Sequence, residues 1–85
     1  MTTYEQVVEI LVEALNVEAV DIKPSTTLKG ELDAESIDVL DMVFRLERTF
    51  NIKITTDEMF PRGAENFEAF TVQHIVDYVD KVKNG

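Results

Sequence analysis

One serine, Ser36, stands among carboxylates at a point where a helix is predicted to begin. Glu31, Asp33 and Glu35 come just before it, and an amphipathic pattern starts at the serine itself. Such a serine can cap the helix by accepting a backbone N–H, a bond worth about 1 kcal/mol. It can also carry a phosphate ester, because the amides and the dipole of a helix N-terminus favour negative charge. The local chemistry alone leaves both interpretations open.

The helix predicted over Ser36–Phe50 has more apolar surface than a packed helix needs. At about 100° per residue its apolar residues cover an arc of roughly 220°, whereas a surface helix needs an arc of about 100° or a little more. Ile37 and Phe44 extend this arc until it borders Asp38 and Asp41. Apolar residues beside acidic ones are typical of a docking surface. The other interpretation is that Ile37 and Phe44 are core residues covered by the preceding loop.

Three other chemistries do not fit the sequence. The acidic alternation that ends at Glu35 is like the start of a calcium loop, but Ser36 stands where such a loop needs Gly and Met42 where it needs Glu. The single histidine, His74, has no nucleophile at a suggestive spacing, so we expect a solvated helix residue rather than Ser–His hydrolysis. The chain has no Cys, which excludes thiolate catalysis and cysteine metal sites. We predict no metal site, no catalytic residue and no enzymatic activity.

Length and charge limit the class of protein and of partner. The 85 residues fit one domain, over residues 1–85, with 17 acidic against 8 basic residues and a net charge of -9. This charge argues against nucleic acid or an anionic membrane as partner and favours a basic protein surface. The chain begins without a basic leader, and no apolar run approaches the roughly 20 residues of a membrane span. We therefore expect a monomeric protein of the cytoplasm.

Three longer helices and a short one must position these residues. A capping box at Thr2–Glu5 opens the first helix, which should end near Asn16. The second is the helix over residues 36–50. A second box at Thr55–Glu58 predicts a brief helix, and the last helix should start near Thr71. With 3 Gly and 2 Pro the chain has few of the residues that form the turns between many short strands. We therefore predict an all-α fold, a small antiparallel four-helix bundle with a long first loop.

The first loop, over residues 16–34, is long for a compact domain. Apolar residues spaced along it predict that it packs on the helices, with one helical turn near Glu18–Ile22. The predicted anchors are Val17, Val20, Ile22, Leu28 and Leu32.

The residues around Ser36 resemble the attachment region of acyl carrier proteins. In that family a Leu-x-x-Asp-Ser-Leu motif opens the second helix, and residues 32–37 read Leu-Asp-Ala-Glu-Ser-Ile. Glu for Asp and Ile for Leu are conservative replacements. The family's downstream Leu-Glu-x-x-Phe-x-Ile-x-Ile signature is matched by Leu46, Glu47, Phe50, Ile52 and Ile54. The resemblance covers nearly the whole chain.

This resemblance implies a covalent cofactor and a set of partners. Ser36 would be esterified by 4′-phosphopantetheine from coenzyme A, and the thiol of that arm would hold an acyl or aminoacyl group as a thioester. The implied partners are a phosphopantetheinyl transferase and acyl-carrier ligases or synthases with basic docking surfaces, in fatty acid, lipid or specialised metabolite biosynthesis. The implied partner-binding residues are Glu35, Ile37, Asp38, Asp41, Phe44 and Glu47.

Two features depart from the family pattern. Arg45 and Arg48 interrupt a helix that is more uniformly acidic in housekeeping members. The segment over residues 59–70 is longer than the family's usual short helix and connection. Its phenylalanines either cap the end of the bundle or reshape an acyl cavity or docking face. A lengthened connection is similar to that of D-alanyl and other specialised carriers, so we expect a specialised rather than a housekeeping member.

The competing interpretation is an unmodified acidic helical adaptor. Such a protein would bind partners through the helix over residues 36–50, and Ser36 would only cap it. A Ser36→Ala variant separates the two, since an adaptor would keep its partner binding and a carrier would lose all loading.

Overall fold

The computed structural model describes residues 1–60 and 70–84, and in these ranges the regular structure is helical apart from one isolated bridge. The first helix packs against both the second and the last, which confirms the predicted all-α bundle. No helix within the described ranges is both long and apolar enough to cross a membrane. The α-helices there are α1 (Thr3–Leu15), α2 (Ser36–Phe50), α3 (Thr56–Met59) and α4 (Val72–Asn84), and a 3₁₀ turn (Ala19–Asp21) follows α1.

The ends of the helices follow local side-chain chemistry. Thr2 and Glu5 form the predicted capping box, in which each side chain accepts the other's backbone N–H at 3.1 Å. Thr71 caps α4, with its Oγ1 3.2 Å from the backbone nitrogen three residues later. Asn16 and Asn51 end α1 and α2 in the left-handed conformation, with φ of 55° and 53°, which asparagine adopts more readily than most residues. The predicted helix bounds are therefore confirmed to within a residue.

The core lies where the faces of α1, α2 and α4 meet, and α3 and the first loop contribute to it. Each helix supplies apolar residues at helical spacing, as the sequence pattern predicts. The largest fully buried apolar residues are Val7, Leu11, Leu28, Val39, Met42, Leu46, Met59, Phe60, Val72, Ile75 and Val79.

The first loop packs on this core through most of its predicted anchors. Ile22, Leu28 and Leu32 are buried, and Val17 is partly buried. The prediction for Val20 was wrong, because 78% of this residue is exposed. The helical turn predicted here does form, as a 3₁₀ turn, and within it Val20 faces outward while Ile22, just after it, reaches the core as predicted.

The second half of the loop is fastened to the start of α4. The backbone N–H of Leu28 donates to the carbonyl of Phe70 at 3.0 Å, and the N–H of Val72 donates to the carbonyl of Thr26 at 2.9 Å. An isolated antiparallel bridge lies between these two bonds. The stretch that leads into α2 therefore has a fixed path rather than that of a free surface loop.

His74 is not the solvated residue that the sequence predicts. It is half-buried, and its Nε2 donates to the carbonyl of Met59 at 2.6 Å. Its ring stacks on Phe70 at a centroid distance of 4.3 Å, and Phe60 lies 5.0 Å from Phe70. These neighbours come from the end of α3, from the residue that follows it and from the residue just before the cap of α4, so spacing along α4 gives no sign of them. Phe67, the third phenylalanine of this segment, lies outside the described residues.

Candidate functional site

Ser36 is the first residue of α2 but does not cap it. The capping residue is Glu35, which has an extended backbone, and its N–H donates to Oδ2 of Asp38 at 3.0 Å. Ser36 is exposed, and no group within the described ranges forms a hydrogen bond with its hydroxyl. The interpretation of Ser36 as a capping serine was therefore wrong, because the cap lies one residue earlier. This leaves the hydroxyl available for chemistry.

The residues before Ser36 hold it at the surface, because their side chains are alternately buried in the core and exposed to solvent. Leu32 and Ala34 are buried, whereas Asp33 between them is exposed and has a left-handed φ of 52°. The N–H of Ala34 donates to the carbonyl of Leu28 at 2.9 Å. Because the buried residues fix the backbone on both sides of Asp33, the start of α2 is positioned by the core of the bundle.

An apolar ridge runs along the exposed side of α2. It consists of Ile37, Leu40 and Phe44, which are 70%, 50% and 66% exposed. The alternative that Ile37 and Phe44 are core residues was therefore wrong. Leu40 belongs to the same ridge, although it was not among the predicted partner contacts; its place in the wide apolar arc is the signal for it. Three large apolar residues exposed side by side mark a candidate contact surface.

The predicted acidic contacts differ in how free their carboxylates are. Glu35 is exposed, beside Ser36. Asp38 is half-buried and already accepts the N–H that caps α2. Glu47 is half-buried, and its Oε2 accepts the N–H of Ile54 at 2.8 Å. Partner binding by these carboxylates stays a prediction, and two of them also have an internal structural role.

Arg45 joins two carboxylates on different helices. Its Nη1 donates to Oε2 of Glu13 on α1 at 2.8 Å, and its Nε donates to Oδ2 of Asp41 at 3.0 Å. The hydrogen bond with Asp41 is the main cause of a raised pKa of Arg45, whose guanidinium is charged at every ordinary pH. An open groove of about 390 Å³ lies beside this network, between α1 and α2. It is lined by Ile10, Glu13, Arg45, Arg48 and Thr49.

The arrangement around Ser36 fits a phosphate ester that projects from the bundle. The hydroxyl is exposed, and the adjoining helix N-terminus favours an anion. Glu35 and Asp38 oppose that anion locally, while they attract a basic enzyme. Among the described residues no cluster of His, Cys, Asp or Glu could hold a metal ion.

Comparison with known proteins points to the same chemistry. A family model described as "Phosphopantetheine attachment site" matches residues 5–79. A protein of Helicobacter hepaticus named "Acyl carrier protein" is 36% identical over 83 residues, which cover 98% of this chain and 100% of that protein. A protein of the same name from Syntrophus aciditrophicus is 30% identical over 84 residues, covering 99% of this chain and 95% of the relative. The similarity extends over nearly the full length of both relatives.

Proposed function

The chain belongs to the acyl carrier protein family, and we propose that Ser36 is the residue that bears its 4′-phosphopantetheine arm. The observation that carries this assignment is the exposed Ser36 hydroxyl at the first residue of α2, left free because Glu35 and Asp38 cap the helix. The family's cofactor, 4′-phosphopantetheine, needs an accessible hydroxyl and a fixed backbone. Ser36 offers both.

The protein acts as a carrier and has no catalytic activity of its own. The bound arm supplies a thiol, which this chain without Cys cannot, and the thiol holds an acyl or aminoacyl group as a thioester. The residues of the chain present the arm and give partner enzymes a surface to recognise. The contribution to a partner's reaction is effective concentration rather than acid–base chemistry. The domain extends over residues 1–85, and the cargo belongs to fatty acid, lipid or specialised metabolite biosynthesis.

Partner enzymes dock on α2 through apolar and acidic contacts together. Ile37 and Phe44 give the apolar contact, with Leu40 beside them, because all three are exposed on one side of the helix. The acidic contacts of this surface are Glu35, Asp38, Asp41 and Glu47. The net charge of -9 favours enzymes with basic docking surfaces, such as a phosphopantetheinyl transferase and an acyl-carrier ligase or synthase. The carrier works as a cytoplasmic monomer, and neither nucleic acid nor a membrane is its partner.

The experiment that tests this function is the intact mass of the protein after incubation with coenzyme A and a broad-specificity phosphopantetheinyl transferase. We expect the parent protein to gain one phosphopantetheine and the Ser36→Ala variant to gain none. A Ser25→Ala variant is the matched control, because Ser25 is also exposed but lies in the first loop. A folded parent protein that gains no mass would overturn the carrier function and leave the unmodified adaptor, which would bind through the apolar ridge alone.

A further inference from the structure

The charge of α2 changes sign along the helix. The carboxylates of its first half, counting the capping residue, are Glu35, Asp38 and Asp41. The second half carries Arg45 and Arg48, and its one carboxylate, Glu47, already accepts the N–H of Ile54. Along the axis, at 1.5 Å per residue, negative charge therefore lies near Ser36 and positive charge about 14 to 18 Å further on.

Asp41 lies at the boundary between these two halves. It is four residues after Ile37 and three before Phe44, so it shares their exposed side of the helix. On spacing alone Asp41 is the central acidic contact of the docking surface. Its carboxylate, however, accepts the Nε–H of Arg45 at 3.0 Å.

The bond between Arg45 and Glu13 determines on which side of α2 the Arg45–Asp41 pair lies. Nη1 of Arg45 is held by Glu13 of α1 at 2.8 Å, so the guanidinium leans toward α1 and away from the apolar ridge. Asp41 is thereby paired on the α1 side of the helix. Arg48, three residues after Arg45, has no ion pair or hydrogen bond among the described residues and is exposed.

We propose that Arg45 is a specificity-determining residue of the carrier, which acts by pairing with Asp41 and Glu13 and so weakens the contact of Asp41 with basic partners. The effect is to make the first turn of α2, next to Ser36, the most strongly acidic part of the docking surface. Partners whose basic side chains lie close to the attachment serine are favoured. Partners whose basic side chains extend along α2 are disfavoured, because they meet the charge of Arg48 there, which is unpaired among the described residues. The inference rests on the proposed function, since it concerns enzymes that dock on α2.

The test compares two arginines that carry the same charge on the same helix. The kcat and KM for modification by a broad-specificity phosphopantetheinyl transferase are measured with coenzyme A for the parent, Arg45→Gln and Arg48→Gln. Each variant removes one positive charge, but only Arg45→Gln removes the guanidinium that pairs with Asp41. We expect Arg45→Gln to lower KM and so to raise kcat/KM by about three- to tenfold at low salt. Arg48→Gln should raise kcat/KM less, because it does not change the pairing of Asp41. High salt should reduce the difference.

A double-mutant cycle identifies Asp41 as the residue through which Arg45 acts. Asp41→Asn should lower kcat/KM more in the Arg45→Gln background than in the parent, because only there has the carboxylate lost its ion pair with the guanidinium. Equal effects of Arg45→Gln and Arg48→Gln, or an equal loss from Asp41→Asn in both backgrounds, would overturn the role of Arg45 while the carrier function stands. Failure of the proposed function looks different: the parent protein itself is then not modified. A cooperative melt of each variant shows that the comparison is between folded proteins.

Discussion

Oδ2 of Asp38 lies 3.0 Å from the backbone nitrogen of Glu35, and this bond caps α2 without using the hydroxyl of Ser36. A serine that capped the helix would be tied to the backbone by the same oxygen that an ester needs. The structure separates the two tasks by one residue: Glu35 and Asp38 close the first turn, and Ser36 is left exposed.

This separation predicts that Ser36 contributes little to stability. Ser36→Ala should change the free energy of unfolding by no more than about 0.5 kcal/mol, as for an exposed residue without a structural bond. Asp38→Ala removes the acceptor for the Glu35 N–H and should cost about 0.5–2 kcal/mol. Urea denaturation of the two variants beside the parent measures both. A loss in Ser36→Ala as large as that in Asp38→Ala would show that the serine caps the helix after all.

Glu47 should prove more important for stability than an ordinary helix carboxylate. Its Oε2 accepts the N–H of Ile54, a buried residue, at 2.8 Å. Glu47→Ala leaves that donor unpaired and should cost about 1–3 kcal/mol, whereas Glu47→Gln keeps an acceptor and should cost less. Glu9→Ala, at an exposed site on α1, serves as control and should stay within about 0.5 kcal/mol. If chemical denaturation shows that Glu47→Ala loses no more stability than Glu9→Ala, the Glu47 carboxylate has no structural role and is free to bind partners.

The two sides of α2 should respond very differently to truncation. Leu46 is fully buried, and Leu46→Ala should cost about 2–5 kcal/mol, as should Leu11→Ala on α1. Phe44 is 66% exposed, so Phe44→Ala should cost much less even though it removes a larger side chain. Thermal and denaturant melts of the three variants measure these stability losses. A core-sized loss in Phe44→Ala would place that side chain in the core and remove it from the docking surface.

Stability should fall at alkaline pH in part through Tyr78. Burial raises the pKa of Tyr78 above its ordinary value, against a smaller opposing effect of a hydrogen bond from the Thr55 backbone. The folded state thus holds the phenol proton more tightly than the unfolded state. Its contribution to stability is complete below about pH 10 and is lost as the pH rises through the raised pKa.

Tyr78→Phe tests this assignment, because the variant has no proton to lose at that position. Urea denaturation at several pH values up to about 11 should show a smaller alkaline loss in Tyr78→Phe than in the parent. Tyr4→Phe is the control, because it loses the hydrogen bond from the Tyr4 hydroxyl to the Ile22 carbonyl but leaves the phenol of Tyr78 in place. Parallel pH profiles of the parent and Tyr78→Phe would rule out Tyr78 as the group responsible.

Local signals in the sequence predicted the elements well. Thr2 and Glu5 mark the start of α1, and Asn16 its end, because caps and left-handed residues act over a few neighbouring positions. The bounds of α2 were predicted in the same way. Whether Ser36 caps the helix was left open, and the structure gives the cap to Glu35, whose backbone N–H donates to the Asp38 carboxylate.

Contacts between distant segments were beyond sequence reasoning. Nothing in α4 shows that His74 meets the carbonyl of Met59 and the ring of Phe70. The outward direction of Val20 likewise depends on how its 3₁₀ turn lies on the core. At the candidate site the pattern showed that α2 was too apolar for its packing, but not which residues were exposed. That depended on where α1, α4 and the first loop came to lie.

The backbone bonds between the first loop and the start of α4 also affect when the start of α2 becomes ordered during synthesis. These bonds can form only after the residues at the start of α4 have been made. Phe70 and Val72 leave the ribosome well after Ser36, and until they do the carbonyl and N–H groups of the loop have no partners there. Closing so long a loop carries an entropic cost that only the finished helix α4 repays. A transferase that recognises the ordered start of α2 would thus modify completed chains and pass over nascent or truncated ones. The order of the proposed attachment site, in the first half of the chain, therefore depends on the last helix.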